Sequence, residues 1–227
     1  AALFRLCRAS LDMEHHVISL MTRGKYGPLL EEAGVPVVSM DMPRGSVTLA
    51  GLARLWRQVH NLKPDAVQTW MYHADLLGGT AAKLAGCRTI FWGIHNSVLV
   101  RGESSTGTIW VSRLCALLSR FIPKVIICCA RKSAEVHAEL GYDRSIMRVI
   151  PNGYDLDQFR PDAGSGRAFR RELGLGNERL VGFVARFDSQ KDHENLFGAL
   201  VALRERGRSP TCLLAGAGMD NSNPALT

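Results

Sequence analysis

Arg186 and Lys191 are two cations whose neighbours give them a chemical task. They lie in Leu180 to Leu200, LVGFVARFDSQKDHENLFGAL: an apolar run that reads as a strand ends at Arg186, a short polar loop follows, and helical spacing resumes near Lys191. One cation thus stands at a strand's carboxyl end and the other at a helix's amino end, where unpaired backbone N–H groups and the helix dipole favour an anion. The ligand that suits such a pair is a diphosphate. Residue type alone leaves an equal alternative, two ordinary surface cations at the edges of a loop.

His95 follows the strand-like run Thr89 to Ile94, so it projects at a strand's carboxyl edge, where α/β folds bind ligands. Its imidazole can donate or accept a hydrogen bond near neutral pH. His73, in TWMYHADLLGG, holds the analogous place after the strand ending at Trp70, although Tyr72, His73 and Asp75 also read as the start of a helix. The five other histidines have no ligand spacing and read as surface or packing residues. Gly216 belongs to a Gly-Ala-Gly turn after a strand, but the third glycine and the downstream acid of a dinucleotide fingerprint are absent. Asp155-Leu156-Asp157 spells an Asp-x-Asp metal motif; its place after a Pro-Asn-Gly turn favours Asp157 as the cap of a short turn through Phe159.

The elements that must position these residues alternate strand and helix. Strands are expected at 16–21, 35–40, 66–70, 89–94, 125–129, 148–150, 179–185 and 211–216, and helices at 2–12, 27–33, 47–62, 75–85, 107–121, 132–140, 167–173 and 191–206. Nearly all-apolar strands in strict alternation imply an α/β fold, a parallel sheet covered by helices on both faces. Ile150-Pro151-Asn152-Gly153 ends a strand in a turn, and the charge balance changes there. Residues 1–150 hold 18 Lys/Arg against 11 Asp/Glu, while residues 151–227 hold 10 of each. Two domains are therefore expected: residues 1–150, which lack an opening strand, and residues 151–227, the start of a second domain.

Ile150 to Asp162, IPNGYDLDQFRPD, followed by VARFDSQKDHENL, resembles glycosyltransferase family 4. The resemblance implies the GT-B architecture, two Rossmann-like domains, with the acceptor side in the first and the nucleotide-sugar in the second. It implies that Arg186 and Lys191 bind the donor diphosphate, that the turn at Gly216 borders the nucleotide, and that His95, in FWGIHNS, contacts the donor sugar near the reacting centre. The implied reaction is hexosyl transfer from a nucleotide-sugar to an acceptor hydroxyl, with retention, in cell-surface polysaccharide or glycolipid synthesis. The acceptor would be a saccharide or a lipid-linked saccharide, with no cofactor and no metal. A sugar-nucleotide epimerase of the same fold and a non-catalytic sugar-nucleotide-binding remnant are the alternatives. The family's glycine-rich loop after the first strand and its two spaced glutamates are not found, so the 227 residues by themselves are expected to be inactive.

Composition narrows the class further. Apolar residues make up 46% and charged residues 22%, as in a globular protein, and no apolar run is long enough to span a membrane. Six cysteines without a CxxC pair fit reduced thiols in the cytoplasm better than a zinc site or a disulfide framework. The net charge of +7 lacks aromatic–basic interleaving or a recognised motif, so nucleic acid is not an expected partner. The stripe Trp110, Leu114, Leu117, Leu118 and Phe121, beside Arg113 and Arg120, reads as a core-facing helix side; peripheral contact with the inner, anionic membrane face is the alternative.

Overall fold

The computed structural model describes residues 2–10, 12–43, 45–96, 105–220 and 222–226. The chain divides into two compact units, Ala1–Tyr154 and Asp155–Thr227.

The first unit runs α1 (Ala2–Ala9), β1 (Val17–Ser19), α2 (Tyr26–Glu32), β2 (Val37–Ser39), α3 (Leu49–Leu62), β3 (Val67–Trp70), α4 (Tyr72–Leu84), β4 (Ile90–Ile94), α5 (Thr106–Leu118), β5 (Val125–Cys128), α6 (Arg131–Glu139) and β6 (Met147–Val149). β1 and β2 pair in parallel, and β3-β4-β5-β6 form a parallel four-stranded sheet in that order. Val67 to Trp70 sit opposite Ile90 to Gly93, and Phe91 to Ile94 opposite Val125 to Cys128. β4 is central, and Ile90, Trp92 and Ile94 in it are fully buried. These three share one face of the strand; on the other, Gly93 is buried and Phe91 half-buried, so both faces are covered and the sequence there reads as a continuous apolar run.

Local chemistry sets the helix bounds. The Thr48 hydroxyl accepts the Gly51 N–H at 3.1 Å to open α3, and left-handed Lys63 closes it. The Ser105 hydroxyl accepts the Thr108 N–H at 3.2 Å to open α5.

The second unit runs α7 (Ala163–Glu172), β7 (Leu180–Val184), a 3₁₀ turn (Ser189–Lys191), α8 (His193–Glu205) and β8 (Thr211–Ala215). β7 and β8 pair in parallel from Leu180 opposite Thr211 to Val184 opposite Ala215. The parallel α/β organisation expected from the sequence is present in both units.

Four local expectations are corrected. α8 starts at His193 rather than near Lys191, because Asp192 adopts a left-handed conformation (φ 54, ψ 51) and separates a 3₁₀ turn from the helix proper. α7 starts at Ala163 rather than 167, because the Asp162 carboxylate accepts the Gly164 N–H at 2.8 Å. Asp155, not Asp157, caps the turn after the Pro-Asn-Gly segment: its Oδ1 accepts the Asp157 and Gln158 N–H groups at 3.0 and 3.1 Å. The apolar stripe of α5 does not face the core. Trp110 is 65% exposed, Leu117 66%, Phe121 67% and Leu114 44%, whereas Leu118 packs against the core. The buried side of α5 is built from Ser112, Cys115 and Ala116. Small residues let the helix lie close to the layer beneath it, so its large residues point outward.

Candidate functional site

The residues singled out in the second unit gather around one loop. Beyond the end of β7, Ala185 donates its N–H to Ala215 O at 2.9 Å and Phe187 donates to Ala217 O at 2.8 Å, so the strand pairing continues past both strand ends. Arg186 lies between these two anchored residues. Its Nε–H donates to Asp188 Oδ2 at 3.0 Å, with the guanidinium side chain 63% exposed. Asp188 also organises the turn that follows: its Oδ1 accepts the Gln190 N–H at 3.1 Å and its carbonyl accepts the Lys191 N–H at 2.9 Å. Lys191 is exposed at the end of that turn. One carboxylate thus fixes both the guanidinium and the loop that carries the ammonium.

Gly216 is placed by sterics. Its φ is 147°, and a Cβ added there would sit 1.9 Å from the Ala185 carbonyl oxygen. No side chain fits, because the chain leaving β8 runs directly against the chain leaving β7. Below this loop His193 is buried, its ring 4.8 Å from that of Phe187 and 5.0 Å edge-on to Phe183. It packs the root of the loop, in line with the packing role expected for it.

In the first unit β3 and β4 are hydrogen-bonded neighbours, so their carboxyl ends bring the segments carrying His73 and His95 to one edge of the sheet. The His95 ring stacks on Trp70, with centroids 4.8 Å apart and 22° between planes. Burial holds the His95 pKa below the ordinary imidazole value, which leaves the ring neutral at pH 7. Gly93 makes room for this arrangement. A Cβ at that position would lie 2.8 Å from Thr69 O and 3.8 Å from both His95 Nε2 and Trp70.

Met71 joins β3 to α4 with φ 73 and ψ 160, a region that is essentially glycine's and costs on the order of 1–3 kcal/mol for another residue. Its N–H donates to Gly93 O at 2.8 Å, and its sulfur accepts the His95 N–H at 3.4 Å. His73, two residues on, is exposed on the first turn of α4. Asp75, on the next position of that turn that faces inward, is fully buried and accepts the Thr69 hydroxyl at 2.5 Å. Desolvation pushes the Asp75 pKa up to about 8, so it is a neutral acid at pH 7. Nearby, the Tyr72 hydroxyl and His137 Nε2 are 2.8 Å apart, and the Ser133 carbonyl faces His137 Nδ1 at 2.7 Å. His137 is a satisfied core histidine.

Sequence reasoning missed Asp188, Trp70, Met71 and Asp75. Asp188 carried a readable signal, an Asp one residue ahead of a Ser-Gln-Lys turn. The stacking of Trp70 on His95 and the strained turn at Met71 arise from the pairing of two strands and leave no local trace.

Comparisons with known proteins bear on the family and the fold. EpsF of Bacillus subtilis (strain 168), which bears the name of a glycosyltransferase with no substrate stated, is 29% identical over 155 residues, 64% of this chain and 39% of its own. The UDP-Gal:alpha-D-GlcNAc-diphosphoundecaprenol alpha-1,3-galactosyltransferase of Escherichia coli is 30% identical over 137 residues, 59% of this chain and 34% of its own. The crystal structure of Anabaena HepE in complex with UDP and glucose superposes with a TM-score of 0.76 at 21% identity, covering 94% of this chain and 55% of that one. This last likeness shows the fold, which is of the GT-B type. The chain spans less than two fifths of the length of the two curated relatives. Residues 2–158 match Glycosyltransferase Family 4, and the chain belongs to that family.

Proposed function

We infer that the protein carrying this chain is a glycosyltransferase that moves a hexosyl group from a nucleotide-sugar, a UDP-sugar in the first instance, to an acceptor hydroxyl. The observation that carries the reading is the loop after β7, where Asp188 holds Arg186 at 3.0 Å and also shapes the turn bearing Lys191. Breaking the bond between the anomeric carbon and the diphosphate oxygen builds negative charge on the leaving nucleotide. Cations already fixed in place stabilise that charge more in the transition state than in the ground state. Family membership and the UDP held by HepE support a nucleotide diphosphate as the anion.

In this reading residues 151–227 belong to the donor side and residues 1–150 to the acceptor side. Arg186 and Lys191 bind the diphosphate, and the tight turn at Gly216 borders the nucleotide. His95, kept neutral by burial and held by Trp70, bonds a sugar hydroxyl near the reacting carbon. His73, exposed at the same sheet edge, is a second polar contact. The acceptor hydroxyl attacks on the face the nucleotide leaves, with retention, and neither metal nor cofactor takes part. The name of the E. coli relative supports a lipid-linked saccharide as the acceptor class and cell-surface glycan synthesis as the setting.

The test is release of nucleoside diphosphate by the full-length protein supplied with UDP-glucose or UDP-galactose and a lipid-linked saccharide. Lys191→Ala is expected to remove nearly all release, and unchanged turnover in that variant overturns the site assignment. Sugar-nucleotide conversion without acceptor marks an epimerase instead, and binding without any reaction marks a non-catalytic binder.

A further inference from the structure

Met71 holds a backbone conformation that suits glycine, φ 73 and ψ 160. Strain of this kind persists only where the surroundings over-determine it, and it gathers at functional sites. Around Met71 the constraints are explicit. Its N–H donates to Gly93 O at 2.8 Å, and its carbonyl accepts the Asp75 N–H at 2.9 Å. Two residues earlier, the Thr69 hydroxyl donates to Asp75 Oδ1. The end of β3 and the first turn of α4 are thereby locked together across one residue.

His95 bears the consequence. β3 and β4 pair in register from Val67 opposite Ile90, and the bond from the Met71 N–H to Gly93 O continues that ladder. In a parallel ladder the next bond would run from the His95 N–H to the Met71 carbonyl. That carbonyl is turned away to start α4, so β3 has no backbone oxygen to offer His95. The Met71 sulfur stands in, accepting the His95 N–H at 3.4 Å. One residue thus withdraws a backbone acceptor and returns a side-chain one. A thioether is a weak acceptor, but it is long, unbranched and apolar, so Met71 reaches the N–H while packing against the core.

The residues on either side of His95 are held from the other direction. Ile94 O accepts the Cys129 N–H at 3.2 Å, and Asn96 O accepts the Ser133 hydroxyl at 2.7 Å, both from β5 and α6. On the β3 side, the Met71 sulfur meets the backbone of His95 and the Trp70 ring meets its imidazole, with centroids 4.8 Å apart. Trp70 and Met71 are consecutive, so a shift of the turn moves both contacts at once.

We propose that Met71 is a positioning residue: its strained turn and its sulfur fix the backbone of His95, so that the imidazole stays stacked on Trp70 and presents one orientation at the sheet edge. The proposal rests on the reading of His95 as a contact to the donor sugar, and it assigns a residue that acts through that histidine.

The test pairs turnover with a direct view of the ring, both on the full-length protein. Met71→Leu keeps the bulk and apolar character of the side chain and loses the sulfur. It is expected to lower kcat about tenfold and to leave the donor KM within about twofold of wild type, because a misplaced group is felt most in the transition state. In the His95→Ala background the same substitution should change nothing further, whereas a general loosening of the fold multiplies with it. In NMR spectra the His95 ring protons, identified by their loss in His95→Gln, should lie upfield in wild type under the Trp70 ring current. In Met71→Leu they should move towards the positions of an exposed histidine. Met71→Gly, which relieves the backbone strain as it removes the side chain, should shift the ring in the same way and is the second variant should Met71→Leu not fold. Ring signals at wild-type positions in both variants overturn the proposal, and so does an equal loss of kcat with and without His95. If His95→Ala turns over at the wild-type rate while the ring shifts in the Met71 variants, the positioning stands and the reading of His95 as a sugar contact falls.

Discussion

Arg186 and Asp188 form an ion pair of 3.0 Å across a single intervening residue, and the same carboxylate caps the turn that ends in Lys191. An exposed pair of this kind adds under about 1 kcal/mol to stability, so its value lies in orientation. Asp188→Asn keeps an oxygen for the Gln190 N–H and removes only the charge. It should leave the urea midpoint within that margin and lower donor turnover on the order of tenfold, since a guanidinium free to change rotamer is misplaced most of the time. Asp188→Ala also loses the cap and should cost about 1 kcal/mol more in unfolding free energy. Equal turnover in Asp188→Asn and wild type would remove the positioning role.

Arg186→Ala and Lys191→Ala are expected to lower kcat by about 10²–10³-fold each, the range for loss of a fixed group facing developing negative charge. The double variant should fall short of the product of the two losses if, as proposed, both cations serve one leaving group. Initial rates of nucleoside diphosphate release measure this directly. Full multiplicativity would show that the two act on separate steps.

Burial sets the sign of the pH response at His95. Its folded pKa lies below the ordinary value of 6.5, so the unfolded chain binds the proton more readily. The stability contribution of the neutral ring is present above pH 6.5 and is lost as pH falls through the folded pKa. Between pH 7 and pH 5 the melting temperature of wild type should fall further than that of His95→Gln. Parallel curves for the two proteins would refute the assignment.

Asp75 responds in the opposite direction. Its folded pKa of about 8 stands above the ordinary carboxyl value of 3.8, so between these limits the folded state holds a proton that the unfolded state has released. Stability contributed by this group is greatest below pH 4 and is lost as pH rises towards 8. Asp75→Asn keeps an acceptor for the Thr69 hydroxyl and does not titrate. Its stability relative to wild type should therefore increase from pH 5 to pH 8, measured by denaturant unfolding at each pH. A difference that is flat with pH would mean that Asp75 is ionised in the fold.

Gly216→Ala puts a methyl group 1.9 Å from the Ala185 carbonyl oxygen. The turn must open, and the Phe187 N–H to Ala217 O bond is the first to be strained. Destabilisation of at least about 2 kcal/mol is expected, from the left-handed backbone and the clash together. Limited proteolysis should show faster cleavage after residue 185. Cleavage at the wild-type rate would contradict the close approach of the two strand ends.

What could be read in the sequence follows the range of each interaction. β4 and β7 were legible as apolar runs between turn residues, and the cations after β7 stood out because a strand end and a helix start are local features. The start of α8 was misplaced by two residues because a left-handed Asp192 is not foretold by residue type. α5 was misread for a deeper reason. Helical periodicity identifies the apolar side of a helix, but which side meets the core depends on what the neighbouring layer can accommodate. Here that layer takes Ser112, Cys115 and Ala116. The His95–Trp70 stack required the register of β3 against β4, which no single segment contains.

For anyone engineering a hardier version of this protein, position 71 is where two aims collide. Glycine occupies the Met71 backbone conformation freely, so Met71→Gly relieves the strain, but it also removes a half-buried side chain packed against the core. The same change deletes the sulfur that receives the His95 N–H and loosens the only residue between β3 and α4. Selection for stability at position 71 sets relief of backbone strain against lost packing, and a lineage that took glycine there would hold His95 less firmly.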